Sequence, residues 1–208
     1  MRLGIVIANM FLYGCCTIVF GQQSPPFSSR SSSRHSLPQK VSQGPGTVIN
    51  GSYRNSYFQF AYQIPFGWVD RTLDMRGDTE TDTSRVLLAI FERPPAASGE
   101  TVNSAVVIAA ESAAAYPGLK NAADYFAPLT NSTESKGFKV VNEPYEFPVD
   151  GKLIVRGDFT KERGSVTMHQ SSLVMMSRGY VVSFTFVAGS DEDVKKLIEK
   201  LSFVRQKS

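Results

Sequence analysis

Cysteine is nearly absent. Cys15 and Cys16 are the only two in 208 residues, and both stand near the start of the chain. Cleavage of a leader after Gly21 removes both, leaving no disulfide, no thiolate nucleophile and no cysteine metal site. Histidine is as scarce: His35 and His169 are the only two, so a Ser-His-Asp site in the folded part has one imidazole to draw on. Acidic residues are missing altogether from residues 1–52, which carry Arg2, Arg30, Arg34 and Lys40. All 19 Asp and Glu and 18 of the 22 Lys and Arg fall after residue 52, so the formal charge of +3 belongs to the start of the chain. A nucleic-acid binder concentrates basic charge on its folded face, and this sequence does not. There is no Gly-rich phosphate loop, zinc-ligand spacing, nucleophile elbow or dinucleotide fingerprint, so neither a cofactor nor a metal is expected.

What is present starts with Arg2 and a run from Leu3 to Phe20 that holds no charge. Val19 and Gly21 occupy the small positions that signal peptidase reads, which predicts a signal peptide over residues 1–21. The chain is then exported, to the periplasm, the cell envelope or the medium of a bacterial host. Two other readings remain open. The run is close to the roughly 20 residues that span a bilayer, so it also suits a retained anchor. Leu12-Tyr13-Gly14-Cys15 is similar to a lipobox, departing from it at Tyr13, and makes Cys15 a candidate for lipidation. Residues 22–52, rich in Ser, Pro and Gln, have too little apolar surface to offset their ordering entropy and are expected to be a disordered linker. Residues 53–205 form one α+β domain, long enough to bury about 70% of its unfolded surface in a single core.

Within that domain, "SYFQFAYQI" (56–64) alternates, with Phe58, Phe60, Tyr62 and Ile64 on one face, and Pro65 ends the strand. "RVLLAIFE" (85–92) and "SAVVIAAES" (104–112) suit buried strands. Asp150-Gly151 and Arg178-Gly179 mark two hairpins. Tyr180–Val187 is apolar on both faces, which predicts a central strand covered on each side. Ser190 with Asp193 starts a helix whose inward face is Val194, Leu197, Ile198 and Leu201. A second helix is expected from Asn121, with Ala122, Tyr125, Phe126 and Leu129 inward and Pro128 kinking or ending it. Long antiparallel hairpins with helices packed on the sheet give an α+β layered sandwich, an antiparallel sheet flanked by helices.

Candidate chemistry is sparse. His169 lies mid-strand in "TMHQSS", where it reads as a metal ligand or general base, or as a sheet-surface histidine bonded to its neighbours. Asp78, Glu80 and Asp82 alternate like the start of a calcium loop, but Thr83 stands where the glycine belongs and no glutamate follows at the twelfth position. Glu111, Asp158 and Glu162 form no pair that spacing identifies as a catalytic dyad. Asn50 and Asn131 head glycosylation sequons that matter only in a eukaryotic host. The aromatics Tyr62, Trp68 and Tyr125 are candidate ligand-binding residues in a cleft between sheet and helices, with His169 beside them; Trp68 also reads as a lid over the sheet's end.

"IPFGW", "NAADYFAPL" and the closing "GYVVSFTFVAGSDEDVKKLIEKLSFV" together resemble the PsbP/Mog1-like superfamily, including small bacterial exported or lipoprotein-type members of unknown function. The resemblance covers roughly residues 53–205. It implies an antiparallel sheet sandwiched by helices, and activity by binding, since one branch is an extrinsic photosystem II subunit and another binds a small GTPase. No metal-binding or GTPase-contacting residue of those branches matches a position here, and a shared fold does not carry a shared activity. The expectation is a non-enzymatic binding or accessory domain acting on a protein partner at the cell envelope, with membrane contact only through the leader or lipidation. The alternatives are a small-ligand or lipid-binding protein, and a hydrolase using His169.

Overall fold

The computed structural model describes residues 46–76, 83–94 and 101–203. The leader, Cys15, most of the linker and the Asp78-Glu80-Asp82 run lie outside the described residues.

The architecture is α+β, mostly antiparallel sheet with a few helices. Strands β1 (Thr47–Ile49), β2 (Ser52–Asn55), β3 (Phe60–Gln63) and β12 (Leu201–Phe203) make a four-stranded sheet in the order β1-β2-β3-β12. A larger sheet runs β4 (Val69–Asp70), β5 (Ser84–Phe91), β6 (Ala105–Ser112), β11 (Tyr180–Ala188), β10 (Val166–Ser177), β9 (Lys152–Arg163) and β7 (Lys139–Val140), and β8 (Tyr145–Val149) also pairs with β9. The helices are α1 (Thr72–Arg76), α2 (Phe126–Glu134) and α3 (Asp191–Ile198).

The large sheet is covered on both faces, which is why its central strands are apolar on both. One face receives the small sheet and α3. There Phe60 meets Phe184 edge-to-face at 5.0 Å, and Tyr62 lies 6.1 Å from Phe186, all four fully buried. Burying such side chains stabilises by about 1.5–3 kcal/mol each. The other face receives α2, with Phe126 packed against Val174 and Val181, and α1, with Met75 against Val86, Ala89 and Val107. A bulge between Val86 and Leu88 changes the alternation of β5, which is how Val86 and Ala89, three apart, reach the same helix. The cover on the first face is thus a second sheet together with a helix, where the sequence pattern led to helices alone.

Both expected hairpins form. Asp150 (φ +48) with Gly151 (φ +77), and Arg178 (φ +53) with Gly179 (φ +79), have the two positive φ values that a tight two-residue turn needs. A third such turn, Asn50 (φ +49) with Gly51 (φ +72), joins β1 to β2. The folded chain therefore starts ahead of residue 53, because Asn-Gly is a hairpin signal as well as the head of a sequon. Both sequon asparagines, Asn50 in this turn and Asn131 on α2, are exposed.

Three local expectations change. The "SYFQFAYQI" run is strand only from Phe60; Gln59 takes φ +59 and the residues before it turn back into β2. Pro128 does not end the second helix. It is the third residue of α2, which follows directly on a 3-10 turn at Ala123–Tyr125, and the helix runs on to Glu134. Leu201 opens β12 rather than extending α3: the helix stops at Ile198, and Leu201 pairs with Tyr62. At the other end of α3 the Ser190 side chain caps the helix, accepting from Asp193 N at 3.1 Å while its hydroxyl donates to Asp193 Oδ2 at 2.7 Å.

Candidate functional site

Strand β9 carries an ordered row of charge. Alternation puts Lys152, Ile154, Arg156 and Asp158 on the face that looks toward the small sheet and α3, with Ile154 in the main core. The opposite face of β9 holds Gly157, pressed under Phe126.

Asp158 sits where the edge of β9 passes from β8 to β7. Val141 N donates to its carbonyl at 2.9 Å, and Asn142 bridges to it twice, through Asp158 N (3.3 Å) and Oδ2 (3.0 Å). Oδ2 also accepts from the Tyr145 hydroxyl at 3.2 Å, while Oδ1 accepts from Arg156 Nε at 2.8 Å and from the Ser171 hydroxyl. Burial raises this carboxyl, but the donors Ser171, Asn142 and Arg156, with the Arg156 charge, outweigh it and hold the group below the ordinary aspartate value. It is an ionised, fully satisfied carboxylate that closes the edge of the sheet where β7 and β8 are interrupted.

Arg156 is held from three sides. Its Nε is on Asp158, its guanidinium lies 4.7 Å from the centre of the Phe147 ring, and Tyr145 is 6.0 Å away. Among the described residues its Nη groups have no acceptor. Lys152 is in a similar position: its ammonium stacks on Phe203 at 4.6 Å, and its one hydrogen-bond partner among the described residues is the Met175 sulfur, at 3.2 Å. Desolvation lowers its pKa, and no carboxylate among the described residues pairs with it.

His169, on β10 two residues from Ser171, faces the same side. Its Nδ1 lies 2.7 Å from Asp191 Oδ1 at the start of α3. The partner that spacing did not reveal is thus Asp191, 22 residues downstream. Asp191 is largely exposed, and the neighbouring Ser171 hydroxyl is already donated to Asp158. Among the described residues no group of three His, Cys, Asp or Glu is placed to hold a metal.

The aromatic candidates are divided between the two faces of the large sheet, Tyr62 and Trp68 on one and Tyr125 on the other. Tyr62 is fully buried in the main core, and its hydroxyl donates to the Leu197 carbonyl near the end of α3 at 3.1 Å; burial raises its pKa far above the usual phenol value. Trp68 is half-buried against the same core, its backbone N–H donating to the Pro65 carbonyl at 3.3 Å to close the "PFGW" turn. Tyr125 is on the opposite face of the large sheet, where its hydroxyl donates to Glu111 Oε1 at 2.9 Å and Tyr116 donates to Oε2. Burial raises the Glu111 carboxyl, and the two phenol donors only partly counter it.

Sequence reasoning missed Lys152 and Arg156. The signal was the alternation in "KLIVRGD", which sets Lys152, Arg156 and Asp158 around Ile154 on one face. Charged side chains on the inward face of a strand, next to a core residue, are the departure from pattern that marks a site.

No known protein family matches the sequence, and no curated protein matches it. Among solved structures, the chain is similar to the PsbP-like protein CyanoP of Synechocystis sp. PCC 6803, at 17% identity and TM-score 0.48 over 77% of this chain and 99% of that one. It is similar to the Ran-binding protein Mog1p of Saccharomyces cerevisiae, at 10% identity and TM-score 0.46 over 76% and 97%. It is also similar to LpqN of Mycobacterium tuberculosis, a protein involved in cell envelope biogenesis, at 14% identity and TM-score 0.34 over 60% and 80%. These are similarities at low identity, each with a TM-score below 0.5.

Proposed function

We propose that this chain is an exported binding domain at the cell envelope, without catalytic activity of its own, and that a protein partner docks at the end of the small sheet where Ile49 and Phe66 stand. The observation that carries this reading is Phe66. It is fully exposed, at 106%, on a turn that is otherwise firmly held. Pro65 accepts from Trp68, Gly67 takes φ +81, and Trp68 packs against the core. Ile64 N donates to the Gly51 carbonyl at 2.8 Å, which fixes this turn beside the β1–β2 turn and its exposed Ile49. Two large apolar side chains on adjoining rigid turns cost little further entropy when a pocket closes on them, and aromatic anchors of this kind carry much of the energy in protein interfaces.

The acid–base side chains support the same reading. Both oxygens of Glu111 and of Asp158 are occupied, and Ser171 donates to Asp158; His169, whose Nδ1 is on Asp191, is the acid–base group that the test below addresses. The test is affinity capture from envelope extracts of the source cells, with wild type and Phe66→Asp side by side. The expected result is one protein recovered in stoichiometric amount by wild type and lost by the variant, whose melting temperature is unchanged. Equal recovery by both forms, or ester hydrolysis that disappears in His169→Ala, would overturn the reading.

A further inference from the structure

We propose that Lys136, just past the end of α2, is a covalent attachment site whose amine takes up small aldehydes as an imine. It lies on the face of the large sheet that α2 covers, apart from the Ile49–Phe66 end, and stands or falls without it.

A lysine at the C-terminus of a helix ordinarily spends its ammonium on the last carbonyls. Here those carbonyls are already engaged. The Leu129 carbonyl accepts from the Thr133 hydroxyl at 2.8 Å, that of Asn131 from Ser135 N at 3.1 Å, and that of Ser132 from the Ser135 hydroxyl at 2.7 Å. The Thr133 carbonyl accepts from Lys136 N at 3.1 Å and that of Glu134 from Gly137 N at 2.8 Å, with Gly137 at φ +84 closing the helix. The carbonyl of Lys136 itself holds a different lysine: Lys161 reaches across from β9 and donates to it through Nζ. Lys161 also has a ring to lie on, Phe138 at 5.6 Å. Among the described residues the Lys136 ammonium has neither an acceptor nor a ring.

Charge does not compensate it. The charged side chains on the elements around it are Glu134 on α2, Lys139 on β7, and Lys161 and Glu162 on β9. Glu162 accepts from the Thr167 hydroxyl, and among the described residues none of the four forms an ion pair with Lys136. Lys136 is nevertheless half-buried. A desolvated ammonium without acceptor or counter-ion is costly, and the neutral amine is not. Burial accordingly lowers its pKa from 10.5 to about 8. Near neutral pH an appreciable fraction of Lys136 is then free amine, whereas a lysine at its ordinary value is almost wholly ammonium.

An unprotonated, desolvated lysine is a nucleophile toward carbonyl carbon. The Nζ lone pair adds to the aldehyde carbon, the C=O π pair moves to oxygen, and a proton passes from nitrogen to that oxygen. The resulting hydroxyl then leaves with the remaining nitrogen hydrogen as water, and the C=N bond forms. No oxidant or reductant enters. Ser135 and Gly137 on either side of Lys136 are exposed, so a small molecule can approach the turn from solution.

The test is treatment of the purified protein with limiting acetaldehyde and cyanoborohydride, which reduces each imine to a stable ethyl-lysine that peptide mass spectrometry locates. At neutral pH the expected result is ethylation of Lys136 at least about tenfold faster than of the exposed Lys139 and Lys195. Its rate should level off above a midpoint at pH about 8. Lys136→Arg should lose the fast phase and melt at the wild-type temperature, because the ammonium it replaces has no partner among the described residues. The site is located on the unmutated chain, so the result does not depend on how the variant folds. Ethylation of Lys136 no faster than of Lys139 and Lys195, no ethylation of Lys136 while those two react, or a Lys136 rate that climbs up to the ordinary lysine value of about 10.4 would overturn the proposal.

Discussion

Replacing Gly157 with alanine should loosen the domain by a calculable amount. A β-carbon built at residue 157 would stand 2.5 Å from Phe126 Cε1 and 3.0 Å from Cδ1. Carbon atoms rest at about 3.5–4.0 Å, so the ring has to retreat by about 1 Å. It has nowhere to go cheaply. Phe126 is 3% exposed and packs with Tyr116, Tyr125, Val174 and Val181, while Gly157 is held in the ladder opposite Ser172. Overpacking of this kind costs about 1–3 kcal/mol. For a domain of this size a 2 kcal/mol loss lowers the melting temperature by about 4–8 °C. The assay is thermal and urea unfolding of Gly157→Ala, Phe126→Leu and the double variant. The double variant should lose at least about 0.5 kcal/mol less than the sum of the two, because the smaller side chain makes room for the methyl group. A melting temperature of Gly157→Ala within 1 °C of wild type, or strict additivity in the cycle, would refute the contact between α2 and β9.

Two further outcomes follow from buried polar groups. The Glu111 carboxyl is raised by burial, so its folded value lies above its unfolded one; its contribution to stability is complete below the ordinary glutamate value of 4.5 and is lost as pH rises through the folded value. Urea midpoints of wild type should therefore fall with pH over that window, and Glu111→Gln should flatten the slope; an unchanged slope would show that Glu111 does not titrate with folding. Tyr62→Phe removes the hydroxyl that bonds the Leu197 carbonyl, which keeps backbone donors of its own at the end of α3. The expected loss is about 1 kcal/mol, measured as a shift in urea midpoint at constant slope.

The periodicity of the chain decided its elements. Two-residue alternation in the 60–63 stretch and in 180–187, Asp-Gly and Arg-Gly at two hairpins, and Ser190 with Asp193 at a helix start are local signals, each acting over a few residues and requiring no knowledge of distant partners. From them came the α+β class, the covered central strand and the cap of α3. Where two local signals competed, one was misread: Asn50-Gly51 is a turn and a sequon at once, and Pro128 is a helix breaker at the third position of a helix that runs on past it.

What only the tertiary structure decided is which distant residues meet. The carboxylate of Asp191 reaches His169 because α3 starts above β10, and Leu201 turns from helix to strand because Tyr62 on β3 offers it a pairing partner. The same packing sent Tyr62 into the core and Tyr125 to the opposite face of the large sheet, so aromatics that looked alike in composition have no common surface. The charges of β9 stood in plain view, at alternate positions in "KLIVRGD". Their meaning depended on the neighbours that β8, β10 and β12 bring alongside: donors that saturate Asp158, whose carboxylate pairs with Arg156, and a ring and a sulfur beside Lys152. Alternation tells which residues share a face. The sheet's register and the layer packed on it tell what that face can bind.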